Sequence, residues 1–168
     1  TPGELQRALQ GRLRCELHFD ALTRVLYSTD ASNHQIEPLG VAFPRDESEV
    51  AEIVALAHEL GFPLVPRGAG TSLAGQAVGA GLVLEQSRHL RSVAVPEPES
   101  RTLGAGAGAV LAHVNAIAGA AGLAYGPDPA SADRATIGGV IGNNASGSHS
   151  IRYGMTVDHV RSLRAVLS

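Results

Sequence analysis

The feature that most constrains the fold is a strand–helix–strand pattern in the first half of the chain. Residues 39–43 form a short apolar run. Asp46 and Glu49 then have the spacing of a capping box, and apolar residues follow at helical intervals until Gly61, a residue type that commonly ends helices. Residues 63–66 form a second apolar run. The pattern predicts a βαβ unit with parallel strands and a right-handed crossover.

The rest of the chain predicts shorter elements around this unit. We predict an α+β fold, in which a small parallel βαβ subdomain, residues 39–90, packs with a mixed or antiparallel sheet subdomain, residues 91–168, around a ligand. Residues 1–38 are predicted to form a peripheral N-terminal helical extension. The remaining predicted elements are helices at 2–9, 22–27 and 110–118, strands at 81–84 and 160–167, and a hairpin of 92–95 with 101–105.

The chain also carries signs of being part of something longer. Its single methionine is Met155 and its first residue is Thr1. We therefore expect a piece of a longer protein, in which the second subdomain, and with it the domain of residues 39–168, is truncated at its C-terminus.

Composition excludes several classes of protein. The net charge is −3 and aromatic residues make up 4 % of the chain, whereas a nucleic-acid surface needs a basic stripe and stacking rings. Cys15 is the only cysteine, which excludes an internal disulfide or a cysteine-rich metal site and favours a reducing, cytoplasmic location. The histidines lack metal-binding spacing. No apolar run approaches the roughly 18 residues of a membrane span, so we expect at most a peripheral membrane association.

A glycine-rich segment, P-R-G-A-G-T-S-L-A-G at residues 66–75, directly follows a predicted buried strand. Gly68 and Gly70 allow a tight turn that presents successive backbone N–H groups to an anion, and Thr71 and Ser72 add hydroxyl donors. A structural glycine-rich turn is the alternative interpretation. The segment is neither a Walker A loop, because no lysine follows Gly75, nor a Rossmann fingerprint, because no amphipathic helix begins there.

A second segment, residues 125–153, has few long apolar side chains and many glycine, asparagine, serine and proline residues. A stretch of this length with so little core-forming material is usually functional, although a long surface loop is the alternative. Its glycine pairs permit close approach of the backbone to a flat ligand, and its asparagine and hydroxyl side chains offer polar contacts.

Short sequence motifs in these two segments, taken in order, resemble the FAD-binding domain of the vanillyl-alcohol-oxidase/PCMH flavoprotein superfamily. The closer likeness is to the D-lactate, glycolate and D-2-hydroxyglutarate dehydrogenase branch and to FAD-linked oxidases with a C-terminal iron–sulfur segment. The resemblance covers roughly residues 37–168. The matching motifs are P-R-G-A-G-T-S-L-A-G (66–75), G-P-D-P (126–129), A-T-I-G-G (135–139), N-N-A-S-G (143–147) and R-Y-G-M-T-V-D-H-V (152–160).

The resemblance implies which residues contact FAD. The first segment would hold the diphosphate through backbone N–H groups, and the later motifs would lie along the ribityl chain and the flavin ring. Noncovalent FAD is expected, because the first segment lacks the histidine to which some relatives attach it. The implied contacts are Pro66, Arg67, Gly68, Ala69, Gly70, Thr71, Ser72, Gly75, Gln76, Pro127, Asp128, Pro129, Ala135, Thr136, Gly138, Gly139, Asn143, Asn144, Ala145, Gly147, Ser148, Tyr153 and Gly154.

The resemblance further implies a flavin-dependent oxidoreductase that oxidises a 2-hydroxy acid such as D-lactate or glycolate. In relatives the substrate-binding cap and the catalytic histidine and arginine groups follow this region, so we assign no catalytic residue here and expect the fragment alone to be inactive. An iron–sulfur segment or subunit is a possible partner of the parent enzyme. Two alternatives remain open, a non-enzymatic nucleotide- or anion-binding module and a MurB-like flavin reductase.

Overall fold

The computed structural model describes residues 1–167, so that Ser168, the last residue of the predicted FAD-binding domain, lies outside the described residues. The chain divides into two compact units. The first comprises Thr1–His89 together with the residues from Ala165 onward, and the second comprises Leu90–Arg164. The predicted domain boundaries at residues 38 and 90 remain predictions.

The first unit contains a four-stranded mixed sheet with the strand order β1-β2-β4-β3. Strands β2, β3 and β4 run parallel to one another, as the βαβ pattern predicts, and β1 joins the edge antiparallel to β2. Val41 and Val65 lie on either side of Val83 in register. The elements are helix α1 (Pro2–Leu9), strand β1 (Glu16–His18), helix α2 (Ala21–Leu26), strand β2 (Gly40–Phe43), helix α3 (Glu47–Leu60), strand β3 (Leu64–Arg67) and strand β4 (Leu82–Glu85).

Helix α3 begins and ends where the sequence predicts. The Asp46 side chain accepts a hydrogen bond from the Glu49 backbone N–H at 3.0 Å, which satisfies one free donor of the first turn. Gly61 ends the helix at a φ of +68°, a conformation that glycine adopts without strain. The predicted capping box is only half formed, because the Glu49 carboxylate accepts from the Arg45 N–H at 2.8 Å rather than from Asp46. The buried Glu49 carboxylate instead pairs with Arg45, whose side chain is 55 % exposed.

The prediction of a peripheral helical extension in residues 1–38 is wrong in two respects. Leu5 and Leu9 of α1 and the neighbouring Cys15 are buried in the core of the first unit, against Ile53 among others. Strand β1 is also part of the sheet. A three-residue strand has too few positions to give an alternating pattern, and two leucines four residues apart occur in surface helices as well. Burial of these residues depends on the sheet that they meet.

The Arg45–Glu49 pair predicts a specific loss of stability in acid. Glu49 is 2 % exposed, and its hydrogen bonds from Arg45 hold its pKa below the ordinary value. A lowered native pKa stabilises the fold above the unfolded pKa of about 4.3, and this contribution disappears as the pH falls through the native pKa. We expect Glu49→Gln to lower the free energy of unfolding at pH 7 by about 1 kcal/mol or more, because a hydrogen-bonded charge is lost.

Urea unfolding of the wild type and of Glu49→Gln, measured between pH 7 and pH 3, checks this expectation. The difference between the two proteins should shrink toward acid. Glu59→Gln is the matched control, because Glu59 pairs with Arg12 on the surface, where its side chain is 57 % exposed. A difference between wild type and Glu49→Gln that stays constant with pH would contradict the assignment.

The second unit is built around a smaller core of Leu111, Ala135 and Val140. Its antiparallel pairing consists, among the described residues, of isolated bridges such as Val93 with Ala105 and Glu97 with Thr102, rather than of a continuous ladder. The predicted hairpin is therefore present only as bridges. The helices are α4 (Leu111–Gly119), α5 (Ile137–Gly142), α6 (Ser150–Tyr153) and a 3-10 helix (Thr156–His159).

One local prediction fails in the later part of the chain, and one alternative interpretation, the long surface loop, is not supported. Residues 160–167 form no strand in the described part, since no strand there pairs with them. Residues 125–153 are not one irregular loop, because α5 and α6 lie within them. Both helices are short and rich in small or polar residues, so their apolar periodicity is too weak to be recognised in the sequence.

Within residues 1–167, no helix combines the length and the apolar character needed to cross a bilayer.

Candidate functional site

The glycine-rich segment 66–76 begins at the carboxyl end of β3, in the first unit, and is not helical. Within residues 1–167, the backbone N–H groups of Gly68, Ala69, Thr71 and Leu73 donate to no acceptor of the chain. Gly70 adopts a φ of +69°, which reverses the backbone within this row. Successive free N–H groups in a glycine-rich turn form a concave donor surface for an anion. The donor set therefore fits a phosphate or diphosphate group.

The second half of this segment is held by its own side chains. The Ser72 hydroxyl accepts from the backbone N–H groups of Ala74 and Gln76 at 3.2 and 3.3 Å, and it donates to the Gln76 Oε1 at 2.5 Å. Gly75 has a φ of +73°, and a side chain there would meet the ring of His34. Ser72, Gly75 and Gln76, all predicted cofactor contacts, thus have structural roles in shaping the turn.

Arg67, another predicted contact, directs its guanidinium toward backbone carbonyls. It donates to Thr29 O at 2.7 Å and to Ala77 O at 2.8 Å, and it lies 5.3 Å from the centre of the Tyr27 ring. Burial lowers the pKa of Arg67, although an arginine side chain stays charged throughout the ordinary pH range. Tyr27 and Thr29 were not predicted as partners of Arg67, because residues 1–38 are predicted to be a peripheral helical extension and these two residues belong to no recognisable motif.

In the second unit, the G-P-D-P motif and the segment that begins with the N-N-A-S-G motif are in direct contact. Asp128 has a φ of +51°, and its carbonyl accepts from the Ser148 N–H at 3.3 Å. The Ser148 hydroxyl also donates to the Asp128 carboxylate at 3.3 Å. A side chain on Gly147 would overlap the carbonyls of Pro127 and Asp128. These predicted contacts are therefore brought together, and Gly147 permits the backbones to meet.

The A-T-I-G-G motif is held by backbone hydrogen bonds to the residues around the start of α4. Ala135 and Thr136 are buried, and Ala135 O accepts from Leu111 N–H at 3.0 Å. The Gly138 N–H donates to Ala107 O at 2.8 Å, whereas Gly139 is exposed at the start of α5. The side chains of Ala135 and Thr136 are buried and cannot reach a ligand at the surface. Any ligand contact from this motif is therefore made by its backbone and by the exposed Gly139.

The asparagines and the residues after them form a connected group. Asn143 donates from Nδ2 to Gly139 O at 2.9 Å, and Asn144 Oδ1 accepts from Val157 N–H at 2.9 Å. Ala145 O accepts from the Thr156 hydroxyl at 2.7 Å. This group ties the predicted N-N-A-S-G contacts to the 3-10 helix.

An open depression of about 300 Å³ lies beside α6 and includes predicted contacts. Tyr153 is 47 % exposed there, and Gly154 follows at a φ of +82°. Pro129, also a predicted contact, is buried. The lining residues of the depression are Ser148, His149, Ile151, Arg152 and Tyr153.

An α+β fold with a row of free backbone donors after a parallel strand is typical of a domain that binds a phosphate-bearing ligand. Residues 38–168 match the family described as FAD binding domain, and the chain belongs to that family. The predicted cofactor, FAD, is thereby confirmed.

The curated relatives are dehydrogenases and oxidase subunits by name. D-2-hydroxyglutarate dehydrogenase of Pantoea ananatis is 40 % identical over 147 residues, covering 86 % of this chain and 14 % of that protein. The Pseudomonas putida enzyme of the same name is 36 % identical over 169 residues, covering 99 % and 17 %. A glycolate oxidase subunit of Bacillus subtilis is 35 % identical over 148 residues, covering 86 % and 31 %. The chain thus spans a third or less of the length of these relatives.

Solved structures agree on the fold. The chain superposes on alkyldihydroxyacetonephosphate synthase with a TM-score of 0.82 at 23 % identity, covering 99 % of this chain and 33 % of that one. For 6-hydroxy-D-nicotine oxidase from Arthrobacter nicotinovorans the TM-score is 0.74 at 21 % identity, covering 87 % and 32 %. The likeness concerns the fold alone, and it confirms the predicted α+β, PCMH-type FAD-binding fold.

Proposed function

We propose that the segment 66–76 holds the diphosphate of FAD through backbone N–H groups, and that residues 126–154 contribute the contacts to the ribityl chain and the flavin ring. The observation that carries this proposal is the row of backbone donors at Gly68, Ala69, Thr71 and Leu73 that find no acceptor within residues 1–167. A diphosphate supplies the acceptors that these donors lack.

The contacts at this site divide into two kinds. Those between Gly68 and Thr71 and at Gly139 are free to meet the cofactor, whereas Ser72, Gln76, Asp128 and Ala135 shape the backbone around it. The cofactor is held noncovalently, because the segment 66–76 contains no histidine to form a covalent link.

The parent protein, in this proposal, oxidises a small 2-hydroxy acid, and the names of the curated relatives support this substrate class. Bound FAD supplies the hydride acceptor, and the protein contributes binding and orientation. No residue of this chain is assigned to catalysis. An iron–sulfur electron-transfer segment or subunit as a partner and a cytoplasmic location complete the proposal. The buried Cys15 suits a reducing compartment.

A visible absorption titration of the 168-residue chain with FAD tests the proposal. Flavin bands near about 370 and 450 nm should persist after desalting or rise with saturable binding, and acid should release the flavin intact. ADP should compete with FAD, since it carries the same diphosphate. An anion-binding module would bind ADP and FAD with similar affinity and leave the flavin spectrum unchanged, and this outcome would contradict the proposal.

A glycine variant locates the diphosphate on this segment. Gly70→Ala places a Cβ 2.6 Å from the Arg67 guanidinium at a φ of +69°, so we expect the dissociation constants of FAD and ADP to rise about tenfold or more. Gly61→Ala is the matched control, because Gly61 has a φ of +68° with nothing within 4 Å of the new Cβ. Isothermal titration of both variants checks the difference; equal affinities would place the diphosphate elsewhere.

Activity of the parent enzyme is tested separately on the longer protein. D-2-hydroxyglutarate, D-lactate and glycolate should each be offered with an artificial electron acceptor. Reduction of the acceptor by one or more of them supports the substrate class, and turnover of none of them contradicts it.

A further inference from the structure

The glycine-rich segment 66–76 is called the diphosphate loop below, after its proposed ligand. A short segment of the first unit, residues 27–36, lies against this loop and is called the strap. Its ends are joined by a hydrogen bond from the Ile36 N–H to Ser28 O at 2.8 Å. Ser28 is only 1 % exposed and its hydroxyl donates to Val25 O at 2.8 Å. The strap is therefore a closed, anchored turn rather than a free linker.

Three kinds of contact join the strap to the diphosphate loop. The first is the Arg67 guanidinium, which donates to Thr29 O of the strap and to Ala77 O just beyond the loop. One side chain thus links the beginning of the loop, the end of the loop and the strap. A planar guanidinium is suited to this because its donors point in several fixed directions.

The second contact is made by Asp30 and its neighbour. The Asp30 carboxylate accepts from the Ser32 N–H at 2.9 Å and from the Ala77 N–H at 3.3 Å. The Ala31 N–H donates to Gly70 O at 2.9 Å, in the middle of the row of free donors. The strap therefore binds the Gly70 carbonyl, while the N–H groups of Gly68, Ala69, Thr71 and Leu73 have no acceptor within residues 1–167.

The third contact is steric. The ring of His34 lies against Gly75, where a Cβ would come within 2.7 Å of the ring. Gly75 has a φ of +73°. The loop is thus contacted at its start, middle and end by the strap.

We infer that Arg67 and Asp30 are positioning residues, which hold the 66–76 loop through the strap in the conformation that receives the diphosphate. The inference rests on the proposed function. Arg67 differs here from its predicted role as a contact of the cofactor, because its guanidinium is already engaged by Thr29 O and Ala77 O. Preorganised donors bind more tightly because the ligand does not have to order them.

The test compares ADP with adenosine, which lacks the diphosphate. In Arg67→Met we expect the dissociation constant of ADP to rise about tenfold while that of adenosine stays unchanged, and the constant of FAD to rise with that of ADP. Arg67→Lys should recover part of the ADP affinity, because an ammonium reaches one of the two carbonyls. A general loss of structure would instead weaken ADP and adenosine equally.

Arg45→Met is the matched control. Arg45 also donates to a backbone carbonyl, Arg14 O at 3.0 Å, and pairs with the buried Glu49, but it makes no hydrogen bond to the strap or to the loop. It should lower stability and leave the ratio of the ADP and adenosine constants unchanged. Should Arg67→Met fail to fold, Asp30→Asn takes its place, with a severalfold rise expected for ADP alone.

The outcomes separate the inference from the function beneath it. A wild-type chain that binds neither FAD nor ADP overturns the proposed function. A wild-type chain that binds both, with ADP-to-adenosine ratios unchanged in Arg67→Met and Asp30→Asn, leaves the proposed function standing and overturns the inference. A selective rise in the ADP constant supports it.

Discussion

Gly147→Ala is expected to destabilise the second unit more than other single-methyl additions in this chain. An added Cβ would lie closer than 3.0 Å to the carbonyl oxygens of both Asp128 and Pro127, which are backbone atoms and cannot rotate away. The backbone at Gly147 must therefore move away from the backbone of Pro127 and Asp128 to make room for the added Cβ. Overpacking of this kind typically costs about 1–3 kcal/mol, and we expect the upper end of that range here because the Ser148–Asp128 contacts are lost as well.

Thermal or urea unfolding, together with an FAD titration, measures this effect. We expect a loss of stability and a loss of FAD binding of at least tenfold. Gly119→Ala is the control in the same unit, since it lies in α4 with nothing within 4 Å of the new Cβ. That change should be neutral or stabilise by about 0.5–1 kcal/mol. Comparable stability of the two variants would show that the Gly147 contact is not maintained in solution.

Leu9→Ala should cost about 2–5 kcal/mol of the free energy of unfolding. Leu9 is 0 % exposed and packs in the core of the first unit with Leu5, Ile53 and Leu82. Truncation removes apolar contacts and leaves a cavity that the surrounding helix and sheet fill only in part. The result would establish that the N-terminal helix is an integral part of the FAD-binding fold.

Leu22→Ala provides the contrast for this measurement. Leu22 lies in α2, also within the first 38 residues, but it is 70 % exposed. Its replacement should change stability by no more than about 0.5 kcal/mol. If urea unfolding gave the same small change for both variants, residues 1–38 would behave as the peripheral extension that the sequence predicts.

The predictions that succeeded rest on interactions between neighbours in the chain. The Asp46 cap, the Gly61 terminus and the parallel strands around α3 follow from contacts or spacings of a few residues. The position of the glycine-rich segment 66–75 after a strand follows from the apolar run that precedes it. The spacing of its glycines predicts the free backbone N–H donors. Local backbone preferences and hydrophobic periodicity suffice at these positions.

The predictions that failed depend on partners distant in sequence. Strand β1 exists because β2 offers an open edge, and Leu9 is buried because the sheet lies beneath it. The predicted strand at 160–167 has no pairing strand among the described residues. A three-residue strand or a leucine pair has the same sequence whether or not such a partner is present.

The role of Arg67 shows the same division at the site. The sequence determined that an arginine ends β3 and precedes the glycines, and the resemblance implied that this arginine contacts the cofactor. Only the tertiary structure determined that its guanidinium meets Thr29 O, 38 residues earlier in the chain. Side-chain direction depends on which carbonyls lie within reach after folding, and no spacing rule within the sequence encodes that proximity.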